Sequence, residues 1–145
     1  MTSHPAPGAI HHLRLTVTDV DRSREFYTSV LGFEVAGLSE AVERLRVGLS
    51  PGVVLTNGAT FLGLGPAPDP NRATGGDRFD ENRVGLDHLS FTAASRGELE
   101  RIVRILDERG IPHGEITDLG PTVPILVLAF RDPDNIQLEF TAPGG

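Results

Sequence analysis

Three residues carry the chemistry this sequence offers: His12, His88 and Glu139. Imidazole nitrogens and carboxylate oxygens are the donors that hold first-row divalent metals. Each of the three stands in an alternating, β-rich stretch: "IHHLRLTVTDV" at 10–20, "LDHLSFTAA" at 86–94 and "IQLEFTA" at 136–142. Side chains alternate across a strand. His11, Leu13, Leu15 and Val17 therefore share one face of the first strand, and His12, Arg14 and Thr16 the other. In the second, Leu89, Phe91 and Ala93 face away from His88, Ser90 and Thr92. In the third, Ile136, Leu138 and Phe140 oppose Gln137, Glu139 and Thr141. The apolar faces must pack on helices, which leaves the polar faces toward water or a cavity. If the three strands line one concave sheet, two imidazoles and a carboxylate converge with coordination positions to spare. That is the facial set of non-haem Fe(II) oxygenases, and Mn, Ni, Co or Zn can take the same donors.

A single strand histidine is ordinarily a satisfied polar residue, and a strand glutamate near a C-terminus a solvated edge charge. What separates His12 and His88 from that background is their spacing. They lie 76 residues apart, and so do Leu62 and Leu138, and Leu64 and Phe140. A constant offset at both ends is the mark of a duplicated supersecondary unit. The helix-stopping glycines, Gly32 and Gly110, lie 78 apart, so two residues are inserted within the repeat. His11, on the apolar face, reads as a strand-end or supporting residue. His4 in the tail and His113 after a helix stop read as solvated.

The elements that must position these side chains follow from the same periodicities. "HHLRLTV" is a strand. Asp19 or Asp21 can cap a short helix through "DRSREFYTSVL" that Gly32 ends. "FEVAGL" reads as a strand. The stretch 39–50 reads equally as a helical turn or a ragged strand. "VVLTNGATFLGL" reads as a hairpin about Asn57-Gly58. Residues 65–84, "GPAPDPNRATGGDRFDENRV", are a long Pro- and Gly-rich connection. Strand 86–93 follows. Ser95 and Glu98 have capping-box spacing ahead of "ELERIVRILDERG", where Leu99, Ile102, Val103 and Leu106 share one face. "GEITDL", "PILVLAF" and "IQLEFTA" read as the remaining strands, with "RDPDN" as a turn. The order is β-α-β-β-β twice: a first module at 9–64, a connection at 65–84 and a second module at 85–142.

Composition narrows the classes. A chain of 145 residues is long enough to bury a real core as one unit or two small modules. A net charge of −7 without a basic run argues against a nucleic-acid partner. With no cysteine, disulfides, thiolate metal sites and cysteine nucleophiles are excluded. "MTSHPAPGA" lacks the charged and apolar regions of a signal peptide, and no apolar run is long enough to span a membrane. The expectation is a soluble, cytoplasmic protein.

The motifs "HHLRLTVTDVDRSREFYTSVLGFEV", "GLDHLSFTA" and "FRDPDNIQLEF" resemble the vicinal oxygen chelate superfamily over nearly all of residues 9–142. That superfamily includes glyoxalase I, extradiol dioxygenases, methylmalonyl-CoA epimerase, fosfomycin-resistance enzymes and bleomycin-resistance proteins. The resemblance implies an α+β fold of paired βαβββ modules whose curved mixed sheets enclose a metal-centred cavity. By motif position it implies His12, His88 and Glu139 as metal ligands. Glyoxalase-type members carry a fourth ligand, Glu or Gln, on the last strand of the first module. The 76-residue offset puts that place at Gly63, which has no side chain to offer. The glycine argues against glyoxalase I activity and leaves room for a substrate beside the metal.

Two functions fit this reading. One is a metal-dependent enzyme, with extradiol-dioxygenase-like ring opening or related lyase or isomerase chemistry on an oxygenated substrate. The other is a bleomycin-resistance-like protein that sequesters a natural product or drug in the same cavity, an antibiotic-resistance role without chemistry. Arg14, Phe61, Gly63, Phe130 and Gln137 are the expected substrate-lining residues. No residue is assigned as acid or base. Each module offers half a cavity, so two must meet, within one chain or across a two-fold axis, and a homodimer is expected.

Overall fold

The computed structural model describes residues 3–45 and 52–144. Two compact units make up the chain, Met1–Ala73 and Thr74–Gly145, and the division falls inside the Pro- and Gly-rich connection. The first contains β1 (His12–Thr16), α1 (Val20–Ser29), β2 (Glu34–Val35), α2 (Ser39–Leu45), β3 (Val53–Thr56) and β4 (Phe61–Gly65). The second contains β5 (Leu89–Thr92), α3 (Arg96–Glu108), β6 (Thr117–Asp118), β7 (Ile125–Arg131) and β8 (Gln137–Pro143). Each unit holds one four-stranded mixed sheet, ordered β1-β4-β3-β2 and β5-β8-β7-β6. In each the first and last strands of the unit pair in parallel and the other ladders are antiparallel.

The duplication is legible in the hydrogen-bond register. Leu13 pairs with Leu62 in the first sheet, and Leu89 with Leu138 in the second, each 76 residues on. The N-caps Asp19 and Ser95 obey the same offset, and each accepts a backbone N–H three residues on. The amides of Val17 and Ala93 close the parallel pairs on the carbonyls of Gly65 and Thr141, both at 2.8 Å. The offset slips to 75 in the neighbouring strand, where Val53 pairs with Leu64 and Leu128 with Phe140. The second hairpin therefore spends one residue more, 132–136 against 57–60. An aspartate sets this longer turn: Asp132 Oδ1 accepts from the amides of Asp134 and Ile136, both at 2.8 Å.

α1 and α3 each cover the apolar face of their own sheet. Phe26 and Tyr27 of α1, and Leu99, Ile102 and Leu106 of α3, are buried. Gly32 and Gly110 follow the helices at φ +75° and +63°, a conformation that glycine takes without steric cost. On β7, Leu126, Leu128 and Phe130 are buried and alternate with half-buried Val127, Ala129 and Arg131. Burying each large apolar side chain contributes about 1.5–3 kcal/mol.

Several boundaries differ from the sequence reading. The ambiguous stretch 39–50 is helical over Ser39–Leu45, and residues 46–50 lie outside the described residues. "FEVAGL" and "GEITDL" pair over two residues each, as β2 and β6. Both are outermost in their sheets and have one neighbour to bond. The strand expected at 86–93 pairs only from Leu89, so His88 stands just ahead of the ladder. Part of the connection is structured on the second unit. The amide of Phe79 donates to the Asp134 carbonyl at 2.8 Å, and Asn135 Nδ2 donates to the Phe79 carbonyl at 3.0 Å.

Candidate metal centre and adjoining cavity

In the second unit β8 and the approach to β5 bring two of the three expected donors together. His88 Nε2 lies 3.7 Å from Glu139 Oε1. Glu139 is largely covered, and Thr141 Oγ1 donates to the same oxygen at 3.2 Å. The other ring nitrogen, Nδ1, is 2.6 Å from Asp87 Oδ1. An ionised carboxylate accepts only, so Nδ1 donates to it, and whenever the ring is neutral Nε2 presents a lone pair. In that form two acceptors face one another across 3.7 Å. An ion at bond lengths of about 2.0–2.2 Å spans such a gap, and a metal-bound histidine typically donates its far N–H to a carboxylate. The donor set of this half fits a divalent metal. Among the described residues, no three His, Asp or Glu side chains gather closely enough to hold an ion.

In the first unit β1 and β4 put His12, Arg14, Phe61 and Gly63 on one face, since parallel partners His12 and Phe61, and Arg14 and Gly63, stand side by side. They wall a cavity of about 390 Å³ together with His11, Leu13, Leu38, Val42 and Val54. His11 is exposed, not tucked under the sheet, and its Nδ1 lies 2.9 Å from that of His12, one ring edge-on to the other. One of these two nitrogens must donate to the other.

Gly63 holds a different lesson from the one its sequence position suggested. Arg14 crosses directly over it. A Cβ on Gly63 would lie 3.0 Å from Arg14 Nη1, and one on Gly65 would lie 2.6 Å from Nη2. The missing side chains make a trough for the guanidinium. The open room expected there for a substrate is therefore filled by Arg14. The register shows the exchange: Arg14 opposite Gly63 in the first unit is Ser90 opposite Glu139 in the second. Arg14 is in turn paired with Glu43 of α2, Nη1 to Oε1 at 3.0 Å and Nη2 to Oε2 at 3.4 Å. Oε2 also accepts the Gly52 amide at 2.9 Å. Glu43 lay in the stretch whose periodicity was ambiguous, and no motif marked it.

Two more expected lining residues sit elsewhere. Phe130 is fully buried in the core and stacked on Phe140 at 5.3 Å, because β7 turns it to the helix side. Gln137 lies on the polar face, but its amide is spent on Asp87 Oδ1 at 2.9 Å, and its oxygen accepts from Arg131 at 3.2 Å. His113 is not solvated as expected. It is four-fifths covered, with Nε2 2.7 Å from Asp107 Oδ1 and Nδ1 2.6 Å from the Gly114 carbonyl. Those bonds, the Asp107 one first, raise its pKa above the ordinary 6.5. Glu81, in the connection, forms a two-pronged pair with Arg131 at 2.6 and 2.9 Å, which lowers its carboxyl to about 2.

Two repeats of one β-α-β-β-β unit, each with polar donors on its sheet face, define the glyoxalase fold. The chain belongs to the glyoxalase/bleomycin resistance protein/dioxygenase superfamily, whose family model matches residues 9–140. It is 34% identical to the uncharacterised protein YwkD of Bacillus subtilis (strain 168), over 90% of this chain and 94% of that one. A glyoxylase/bleomycin resistance protein/dioxygenase domain from Frankia sp. EAN1pec superposes with a TM-score of 0.77 at 29% identity, covering 95% and 93% of the two chains. The fosfomycin resistance protein FosX of Listeria monocytogenes shares the fold, with a TM-score of 0.68 at 16% identity over 94% and 92%.

Proposed function

We propose that this protein is a metal-dependent enzyme acting on a small oxygenated substrate, with His12, His88 and Glu139 as ligands of one divalent metal. Fe(II) is the first choice for two imidazoles and a carboxylate, and Mn, Ni, Co or Zn suit the same donors. The reading is carried by one observation: His88 Nε2 and Glu139 Oε1 face each other at 3.7 Å while Nδ1 is committed to Asp87. His12 enters by equivalence, since it holds in the first repeat the place of His88 in the second.

When bound, the metal would act as a Lewis acid on adjacent substrate oxygens, and iron would add reactivity with O₂. The chain's own residues do the rest. Asp87 holds the His88 proton on Nδ1. Leu13, Val42, Val54 and Phe61 offer an apolar wall that keeps water from a bound substrate. Arg14 is already neutralised by Glu43, so this wall suits an uncharged group in preference to an anion. Ring opening of the extradiol type leads among the reactions, followed by lyase or isomerase chemistry. No helix of the described residues is long and apolar enough to cross a membrane. We place the protein in the cytoplasm as a C₂ homodimer.

The apolar cavity also supports a second reading, sequestration of a natural product or drug without turnover. Elemental analysis of protein purified without chelator or affinity tag, followed by oxygen uptake with catechols, separates the two. The enzyme reading expects stoichiometric metal, its loss in His12→Ala, His88→Ala and Glu139→Gln, and turnover. Metal-free protein that binds ligands unchanged would overturn it.

A further inference from the structure

His88 and its neighbours form a chain of polar contacts that begins seven residues earlier, in the connection. Glu81 grips both terminal nitrogens of Arg131. Arg131 Nη2 donates to Gln137 Oε1 at 3.2 Å. Fixing that oxygen fixes the amide, so Gln137 Nε2 points at Asp87 Oδ1, 2.9 Å away. The same Asp87 oxygen lies 2.6 Å from His88 Nδ1. Each link leaves one way for the next to point.

The arrangement is unusual for neighbours in sequence. Adjacent residues of an extended strand point to opposite faces. Asp87 and His88 can close on each other because the β5 ladder starts at Leu89. Nothing in the strand geometry itself holds the contact, and Asp87 is well exposed. The contact needs an outside hold, and Gln137 supplies it from β8. Arg131 also donates to the Asn135 carbonyl at 3.2 Å, and Asn135 holds the Phe79 carbonyl, so the start of this chain is anchored to the β7–β8 turn at two further points.

We infer that Asp87, held by Gln137, Arg131 and Glu81, is the positioning residue that fixes the His88 tautomer and aims Nε2 at Glu139. An isolated neutral imidazole is free to carry its proton on either nitrogen, and only the partner of one nitrogen decides which. Here that partner is Asp87. The segment 79–87, which reads as a linker, is thus part of the site's supporting frame. The consequence for metal binding rests on the proposed role of His88 as a ligand, whereas the tautomer does not.

The experiment uses the full chain and two readouts. Nitrogen-15 NMR of the metal-free protein, at a pH about two units above the ordinary histidine value of about 6.5, reports which His88 nitrogen bears the proton. The Nδ1–H form should dominate in the wild type and give way to Nε2–H in Asp87→Ala, with Gln137→Ala intermediate. Asp87→Asn, which keeps an accepting oxygen, should restore much of the Nδ1–H form. Titration with Co²⁺, followed by its visible absorption, should show affinity about 10–100-fold weaker in Asp87→Ala than in wild type at equal folded fraction. A His88 tautomer unchanged by Asp87→Ala would overturn the inference. So would wild-type Co²⁺ affinity in Asp87→Ala when His88→Ala loses the metal. If instead His88→Ala binds Co²⁺ as the wild type does, the ligand reading fails, and the tautomer measurement still decides the role of Asp87.

Discussion

Arg14 and Gly63 exchange volume with Ser90 and Glu139 at matched positions of the two repeats. Where one sheet carries a carboxylate beside a small residue, the other carries a guanidinium over a glycine trough. Gly63→Glu therefore does not simply restore a fourth ligand. Its Cβ would stand 3.1 Å from Arg14 Cγ, and its carboxylate would compete with Glu43 for the guanidinium. Overpacking of this kind costs about 1–3 kcal/mol. Thermal melting of Gly63→Glu should show that loss, and Arg14→Ala combined with Gly63→Glu should recover most of it. Additive losses in the double variant would show that Arg14 is not the obstacle.

Among the elements, α3 and the β7–β8 hairpin offer the sharpest checks. Leu106 is fully buried on the helix face, so Leu106→Ala should cost about 2–5 kcal/mol in denaturant unfolding. Ser95→Ala should cost about 1 kcal/mol, because the Glu98 amide loses its cap. His113 ties the end of α3, through Asp107, to β7, where its backbone bridges to Phe130. Its folded pKa is raised, so the stabilisation is complete below the unfolded value of 6.5 and is lost as pH rises through the folded value. The stability gap between wild type and His113→Gln should therefore be widest in mildly acidic buffer and narrow above it. A gap that grows toward high pH contradicts this placement. Glu81 runs the other way. Arg131 depresses its pKa from 4.5 to about 2, so its contribution is present above 4.5 and lost as pH falls toward 2. Glu81→Gln should flatten that acid limb of the stability profile.

At the scale of the whole molecule, the proposed ligand set draws His12 from the first unit and His88 and Glu139 from the second. One chain can supply all three, or two copies can share them. The C₂ dimer proposed here gives two equivalent sites. Light scattering at micromolar concentration should return twice 15.5 kDa. Mixing His12→Ala with Glu139→Gln subunits should restore one intact metal site per mixed dimer if the ligands are shared between chains. A species that stays at 15.5 kDa at high concentration, with metal bound, removes the dimer from the proposal.

Much of this architecture was legible in the chain itself, for reasons of period and spacing. Strand alternation separated His12 from His11, and the 76-residue echo picked out His88. The cap at Ser95 and the helix face of Leu99, Ile102 and Leu106 follow from local rules of propensity and periodicity, which left the first cap between Asp19 and Asp21 until the structure chose Asp19. What local rules do not reach is the partner of a side chain across the fold. Phe130 was read as a lining residue because a strand's period says that two faces exist, not which one a helix will cover. The trough over Gly63 depended on Arg14 from β1 and Glu43 from α2, 29 residues apart in sequence. The hold on His88 depended on Glu81 meeting Arg131, 50 residues on. A charged side chain chooses its partner by distance in space, and only the tertiary structure sets that distance.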